Sequence, residues 1–220
     1  MPDTELAPLV DHTLLDKDHR AADVDRVVEE ASEYGTNVCL PPSRVDRVPD
    51  GFEGEVVAVV GFPHGTTTPA AKAYEARQAV EAGATEVDVA ANVSALRSRE
   101  DDAFVRDLRA VVETGVTTKA IIETGLLDDD EKRRAARLCA DAGAEYVKTC
   151  TGYAPGEATV EDIRLLKDAV GDEALVKASG GIRDAGTAYR LIDAGASRIG
   201  ASAGADIVRE ALSDEESPKE

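Results

Sequence analysis

The sequence predicts an α/β protein folded as a single (β/α)8 TIM barrel. Three observations carry that expectation. Short apolar, β-branched runs alternate with amphipathic segments rich in Ala, Glu and Arg. Many of those segments end in a glycine, and an apolar run resumes within a few residues of it. The stops are Gly35, Gly83, Gly115, Gly143, Gly171 and Gly195, and from Gly83 onward they recur every 24 to 32 residues. Glycine ends a helix because it accepts positive φ at little cost. Strands alternating with helices build right-handed βαβ units and therefore a parallel sheet.

Taken in order, strands are expected at residues 9–11, 37–40, 56–61, 86–90, 117–123, 146–149, 174–178 and 198–200. Helical patterns fall between them, as at 70–82, 129–142, 160–169 and 185–194, and the connection at 43–50 is the shortest. Eight such units in 220 residues fit a compact closed barrel. An open doubly wound sheet would carry a glycine fingerprint after the first strand, with an acidic ribose-binding residue about 20 residues further on. Here the first strand runs into HTLLDKD, which has no glycine. The barrel domain is expected to span residues 1–212, with an acidic C-terminal tail at 213–220.

Composition narrows the function. Hydrophobic residues make up 43% of the chain but aromatics only 4%, and Trp is absent. The core must be aliphatic, without the stacking platforms that single-stranded nucleic acids require. A net charge of -19 repels phosphate backbones and anionic membranes. No apolar run approaches the ~20 residues of a spanning helix and no charged-then-apolar leader opens the chain, so a cytoplasmic protein is expected. Cys39, Cys139 and Cys150 are scattered without a CxxC pair, which argues against a disulfide framework and structural zinc. Only eight of the 25 basic residues are Lys. An acidic, Lys-poor chain with ample apolar content is expected to be halophilic, because salt screens carboxylate repulsion. In such a chain a Lys inside an apolar strand asks for a reason.

In a closed barrel, alternate strand residues point to the axis, and those near the C-terminal strand ends form the active-site floor. In EVDVAAN, Val87 and Val89 face the helices, so Glu86 and Asp88 face inward. The same alternation turns Lys119 of TTKAIIETG, Lys148 of EYVKTCTGY and Lys177 of ALVKASGGI to the axis. A lone strand Lys commonly snorkels, and one buried Lys–Asp pair is commonly structural. Three inward lysines against one or two carboxylates instead leave an excess of positive charge. Their repulsion is expected to lower at least one lysine pKa toward neutrality, and a neutral amine attacks carbonyl carbon. The pattern points to Schiff-base chemistry, with a structural ion network as the alternative.

Glycine clusters at Gly152, at Gly180 and Gly181, and at Gly200 follow strands six, seven and eight. Backbone N–H groups in such loops bind phosphate, although a Gly-Gly pair alone can be a tight turn. Arg183 would reinforce an anion site or cap a helix. His12, His19 and His64 lack metal-ligand spacing, and Cys150 reads as packing rather than nucleophile.

Through VDHTLL, NVCLPPSRV, VVGFPHG, GATEVDVAANVSAL, KAIIETGLL, YVKTCTGY, VKASGGIRD and RIGASAG, the chain resembles the class I deoxyribose-phosphate aldolase family over almost its whole length. The resemblance implies a metal-free, cofactor-free lyase. It would reversibly cleave 2-deoxy-D-ribose 5-phosphate to acetaldehyde and D-glyceraldehyde 3-phosphate, in deoxyribose phosphate catabolism. It implies Lys148 as the Schiff-base lysine, Lys177 as the lysine that tunes it and shuttles protons, and Asp88 as the aspartate that activates a water. Asp11 and Lys119 would be further polar groups of the substrate pocket, and Gly152, Gly180, Gly181, Gly200 and Ser202 would cradle the phosphate. The expected partners are a small sugar phosphate and further copies of the chain in a homo-oligomer, with no nucleic acid and no membrane. Three departures stand out. Cys150 replaces a small hydroxyl residue, Ala203 replaces the second Ser of a pair, and the tail SDEESPKE lacks the Tyr that ends some members. A ketose- or transaldolase-type Schiff-base barrel and a non-catalytic sugar-phosphate binder are the rival readings. Intact Lys148, Lys177 and Asp88 argue against the second.

Overall fold

The structure, a computed structural model, describes residues 5–216, with side chains to residue 213. Eight strands close into one parallel barrel in chain order: β1 (Val10–Thr13), β2 (Asn37–Leu40), β3 (Val56–Val60), β4 (Glu86–Ala90), β5 (Thr117–Ile121), β6 (Tyr146–Lys148), β7 (Leu175–Ser179) and β8 (Arg198–Ala201). β8 pairs with β1 through Val10–Ile199, Asp11–Gly200 and His12–Ala201, which seals the sheet.

The helices are α1 (Ala21–Tyr34), α2 (Pro69–Glu81), α3 (Val93–Arg97), α4 (Asp101–Val112), α5 (Asp129–Ala142), α6 (Val160–Val170), α7 (Ala185–Asp193) and α8 (Gly204–Glu216). Local chemistry starts most of them. Thr68, Asn92, Asp128, Thr159 and Asp184 each accept a backbone N–H of the first turn, and Asp128 with Glu131 forms a reciprocal capping box. All six expected glycine stops have positive φ.

Several boundaries differ from the sequence expectation. β1 starts at Val10 because Ala7–Leu9 form a 3-10 turn, and it runs on to Thr13. β5 ends at Ile121, since Glu123 is left-handed at φ 59 and opens a 3-10 turn over Thr124–Leu126. Between β2 and β3 there is only a 3-10 turn, Pro42–Arg47, behind Pro41 and Pro42, whose missing N–H groups cannot enter a helical ladder. The last helix continues to Glu216, past residue 212, and residues 217–220 lie outside the described residues.

The main core lies between strands and helices, and takes Val87, Val89, Ala120, Val147, Val176, Ala178 and Ile199 from the outer strand faces, with Ile122 just past β5. The barrel interior is divided. On the β2–β3 side Cys39, Val57 and Val59 form a small apolar cluster with Leu15 and Phe62. The remaining arc, β4 through β8 and β1, is ionic.

Candidate active site

Register places the ionic residues in one connected column. Asp88 pairs with Lys119 across β4–β5, Lys148 with Lys177 across β6–β7, and Lys177 with Arg198 across β7–β8. Each has at least one apolar neighbour in the outer core: Val87 and Val89 beside Asp88, Ala120 beside Lys119, Val147 beside Lys148, Val176 and Ala178 beside Lys177, and Ile199 beside Arg198. The alternation of the strand therefore turns every one inward.

Asp88 is the hub. Its Oδ2 accepts from Lys148 Nζ at 2.7 Å and from Lys177 Nζ at 2.6 Å. Its Oδ1 has Lys119 Nζ at 3.5 Å and no hydrogen bond among the described residues. Burial opposes ionisation of this carboxyl, but the ammonium groups of Lys148, Lys177 and Lys119 outweigh burial and hold it well below the usual carboxylate range. Lys177 also donates to Asp11 Oδ2. Although burial opposes its charge, Asp11 and Asp88 together hold Lys177 above the ordinary lysine range. Asp11 Oδ1 accepts from Arg198 Nη1 at 2.8 Å and from Asn37 Nδ2 at 3.1 Å. Arg198 Nη2 reaches Glu86 Oε1 at 3.3 Å, and Glu86 Oε2 accepts from Lys119 at 2.5 Å.

Two expectations from the sequence change here. The lysines face three carboxylates rather than one or two, since Asp11 and Glu86 join Asp88, and Arg198 adds a fourth cation. At least one lysine was expected to be lowered; Lys177 is not that one, because two carboxylates clamp it and raise it.

Above the column opens a cavity of about 320 Å³ lined by Lys148, Thr13, Thr151, Ser179, Arg183 and Ala203, and by the glycine loops. Gly152, Gly180, Gly181, Gly200 and Ser202 all lie on its wall. Gly180, at φ 99, sits so close to Cys150 that an added Cβ would stand 3.0 Å from the cysteine Cβ. Gly200 has a second duty: a Cβ there would meet Lys177 Cε at 3.1 Å, so the missing side chain makes room for the lysine stem. Asp11, Lys119, Asp88 and Lys177 do not line this cavity; all are fully buried beneath its floor. Asp11 accepts from Lys177, and Lys119 Nζ lies 3.5 Å from Asp88 Oδ1, so both stand behind those two groups. A second, more apolar hollow of about 640 Å³ adjoins across Leu15, with Val59, Phe62 and Tyr153 on its wall.

Cys150 is fully buried, its thiol 3.3 Å from Thr124 Oγ1 and pushed up in pKa by burial, in line with packing. His12 turns outward to Glu30 at 2.9 Å, and His19 accepts from Arg44 Nε. Sequence reasoning passed over three contributors. Arg198 was legible: Ile199 is a core residue, so the residue before it turns inward by the same alternation. Glu123 accepts from Thr151 N and Oγ1 and so fixes the β6 loop. Tyr153 donates to Asp16 and meets Phe62 edge-on at 5.3 Å; nothing local in the sequence signals either contact.

This arrangement offers an amine at the base of a glycine-walled cavity, beside a buried carboxylate with an unpartnered oxygen. Comparison with known proteins agrees. A profile for DeoC/LacD family aldolases matches residues 6–212. The deoxyribose-phosphate aldolase of Staphylococcus carnosus is 44% identical over 216 residues, covering 96% of this chain and 98% of that protein. The Bacillus subtilis deoxyribose-phosphate aldolase is 46% identical over 211 residues, covering 93% and 95%. Among solved structures, the aldolase QR15 superposes with a TM-score of 0.93 at 36% identity, covering 98% of each chain. The deoxyribose phosphate aldolase of Aeropyrum pernix, described as a unique tetramer, superposes with a TM-score of 0.87 at 32% identity, covering 94% of this chain and 91% of that one.

Proposed function

The chain belongs to the DeoC/LacD family of aldolases, and from that premise we propose that it cleaves 2-deoxy-D-ribose 5-phosphate through a Schiff base on Lys148. The observation that carries the assignment is access. Of the three lysines of the column, Lys148 alone lines the cavity, and it has one carboxylate partner where Lys177 has two.

The free amine of Lys148 adds to the C1 aldehyde, and loss of water leaves an iminium. A base removes the C3 hydroxyl proton. The C3 carbonyl forms, the C2–C3 bond breaks, and its electron pair passes through C2=C1 to the iminium nitrogen. The bond is C2–C3 and not C3–C4, because only C2 adjoins the iminium carbon and can hold the pair as an enamine. D-glyceraldehyde 3-phosphate departs. The enamine takes a proton at C2, and water at C1 then releases acetaldehyde and the amine. In this reading Asp88 holds a water for these transfers and Lys177 returns the proton; the unpartnered Asp88 Oδ1 and the Lys177–Asp88 hydrogen bond support it. Gly152, Gly180, Gly181, Gly200 and Ser202 hold the phosphate, with Arg183 adding charge at the rim. Ala203 contributes no side-chain donor.

The same reading takes residues 1–212 as the catalytic domain. It takes the protein to work as an assembly of copies in the cytoplasm, where its three free thiols stay reduced. Borohydride added with substrate tests the central assignment. A stable adduct on Lys148, found by peptide mass spectrometry, is the expected result. An adduct on Lys177 with Lys148 unmodified, or turnover with no lysine adduct, overturns it. Equal kcat/KM for deoxyribose with and without its phosphate would reduce the glycine loops to turns.

A further inference from the structure

We propose that Arg198 is a positioning residue for the aldol reaction: as the fourth cation of the barrel axis, it keeps Lys148 available as the free amine. The inference rests on Lys148 being the nucleophile.

Seven ionic side chains form one chain of contacts along the axis. Asp11, Glu86 and Asp88 stand against Lys119, Lys148, Lys177 and Arg198. All seven are buried, Arg198 being the most exposed at 9%. With every group ionised the column holds one positive charge too many, and an uncompensated charge in a buried site is costly. One cation must therefore yield its proton most readily. Arg198 cannot, because guanidinium stays protonated in proteins. Lys177 bridges two carboxylates, and Lys119 sits between Glu86 and Asp88 with no exposure. Lys148 has a single carboxylate and meets the cavity. Release of the proton from Lys148 leaves three cations against three anions, and the neutral amine still donates to Asp88 Oδ2.

Arg198 is built for this place. Its planar fork spans Asp11 on β1 and Glu86 on β4, and its guanidinium lies 5.9 Å from the centre of the Tyr146 ring. Without Arg198 the column would balance with Lys148 protonated, which is the unreactive form. The other groups that face the column do not change this count. Tyr146 also lies beside Lys119, Asn37 is neutral, and the Cys39 thiol is pushed up to about 11 by burial, with Asp88 adding to it. Glu123 at the mouth is held by Thr151, while Glu157 and Arg183 pair with each other there in water. Asp50, Glu53 and Glu55 line an open hollow of about 630 Å³ under Arg198 at the N-terminal end of the barrel; all three are exposed and solvated.

The test is the pH dependence of kcat/KM, and of borohydride trapping at Lys148, in the full chain and three variants. Arg198→Gln should move the acid limb up by about one pH unit, a tenfold loss near neutrality that recovers at alkaline pH. Arg198→Lys keeps the charge and should hold the limb near its original position. Glu86→Gln removes an anion instead and should move the limb the other way, to lower pH; it also carries the test if Arg198→Gln does not fold. A loss uniform across pH, limbs that stay in place, or shifts of the same sign in Arg198→Gln and Glu86→Gln would reduce Arg198 to a structural residue. If the unmutated protein gives no Lys148 adduct, it is the nucleophile assignment that fails, independently of these shifts.

Discussion

Lys72 and Lys148 are both buried, and each donates to an aspartate, at 2.6 Å and 2.7 Å respectively, yet they belong to different kinds of assembly. Lys72, on α2, is sealed between strands and helices. It reaches Asp107 on α4 and the carbonyl of Ala90 at the end of β4. Gly61 packs against its stem, where an added Cβ would stand 2.8 Å from Lys72 Cε. That hydrogen-bonded pair is one cation against one anion, with the partly exposed Glu75 of the same helix near Lys72. Burial pushes the Lys72 ammonium down and the Asp107 carboxyl up, so both drift toward neutrality. Lys148 belongs to a column with four cations against three anions, and it meets a cavity. Burial of a lysine is thus not a mark of chemistry in itself. On the proposed reading, an excess of like charge, together with access for a carbonyl carbon, separates a reactive lysine from a tie between helices.

That contrast can be broken by mutation. Lys148→Arg should abolish both the borohydride adduct and turnover, by on the order of 10⁴-fold or more, as loss of a covalent nucleophile does. Its melting temperature should stay close to that of the unmutated chain, since the charge is kept. Lys72→Met should do the reverse. Urea denaturation should show a loss of about 3–5 kcal/mol, because Asp107 is left buried without its partner. Specific activity per folded molecule should persist, and adding Asp107→Leu should recover most of the stability. A catalytic collapse in folded Lys72→Met, or an active Lys148→Arg, would erase the distinction.

Smaller effects sharpen it. Ser202→Ala removes a hydroxyl donor from the cavity wall. A hydrogen bond to a charged group is worth about 1.5–3 kcal/mol, so KM for the phosphorylated sugar should rise roughly ten- to a hundredfold, with little change for the free sugar. The acid side of the stability curve should belong to the column. Asp11 and Asp88 are held ionised below their unfolded range by the cations around them. Their contribution is therefore complete above about pH 4 and lost as pH falls below it. Asp107 shifts upward, so its protonation does not add to that loss. Melting temperatures between pH 5 and pH 3 should flatten in Asp88→Asn but not in Asp107→Asn. The smallest effect per group is salt screening. With a net charge of -19, stability should rise into molar KCl, where the Debye length is ~3 Å. A flat or falling melting temperature would reject halophilic adaptation. The stability cost of Lys72→Met should not change with salt, because ions do not reach that pair.

Much of the site could be read along the chain because barrel strands alternate strictly. Once Val87 and Val89 are assigned to the helix layer, Glu86 and Asp88 must face the axis, and the same step turns Lys119, Lys148 and Lys177 inward. Applied to β8, it would also have found Arg198, which was read only as the start of a strand. Lys72 gives no such signal. It lies in a helix whose exposed and buried faces are both rich in alanine, and its partner is 35 residues away. The left-handed Glu123 has no signal either, because its conformation is set by how the loop packs on the β6 loop, whereas α3 had one in its Asn92 cap.

By itself the sequence determined the alternation of strands and helices, the residues that face the axis, and the glycines at the cavity wall. All of these follow from local periodicity and from backbone conformations that few residues allow. Tertiary structure alone decided which charge serves which. Lys177 meets Asp11 across 166 residues, and Arg198 meets Asp11 across 187, only because β8 closes against β1. Coulomb energies depend on distances through space. The balance that clamps Lys177 and leaves Lys148 open to the cavity therefore came into being when the sheet closed.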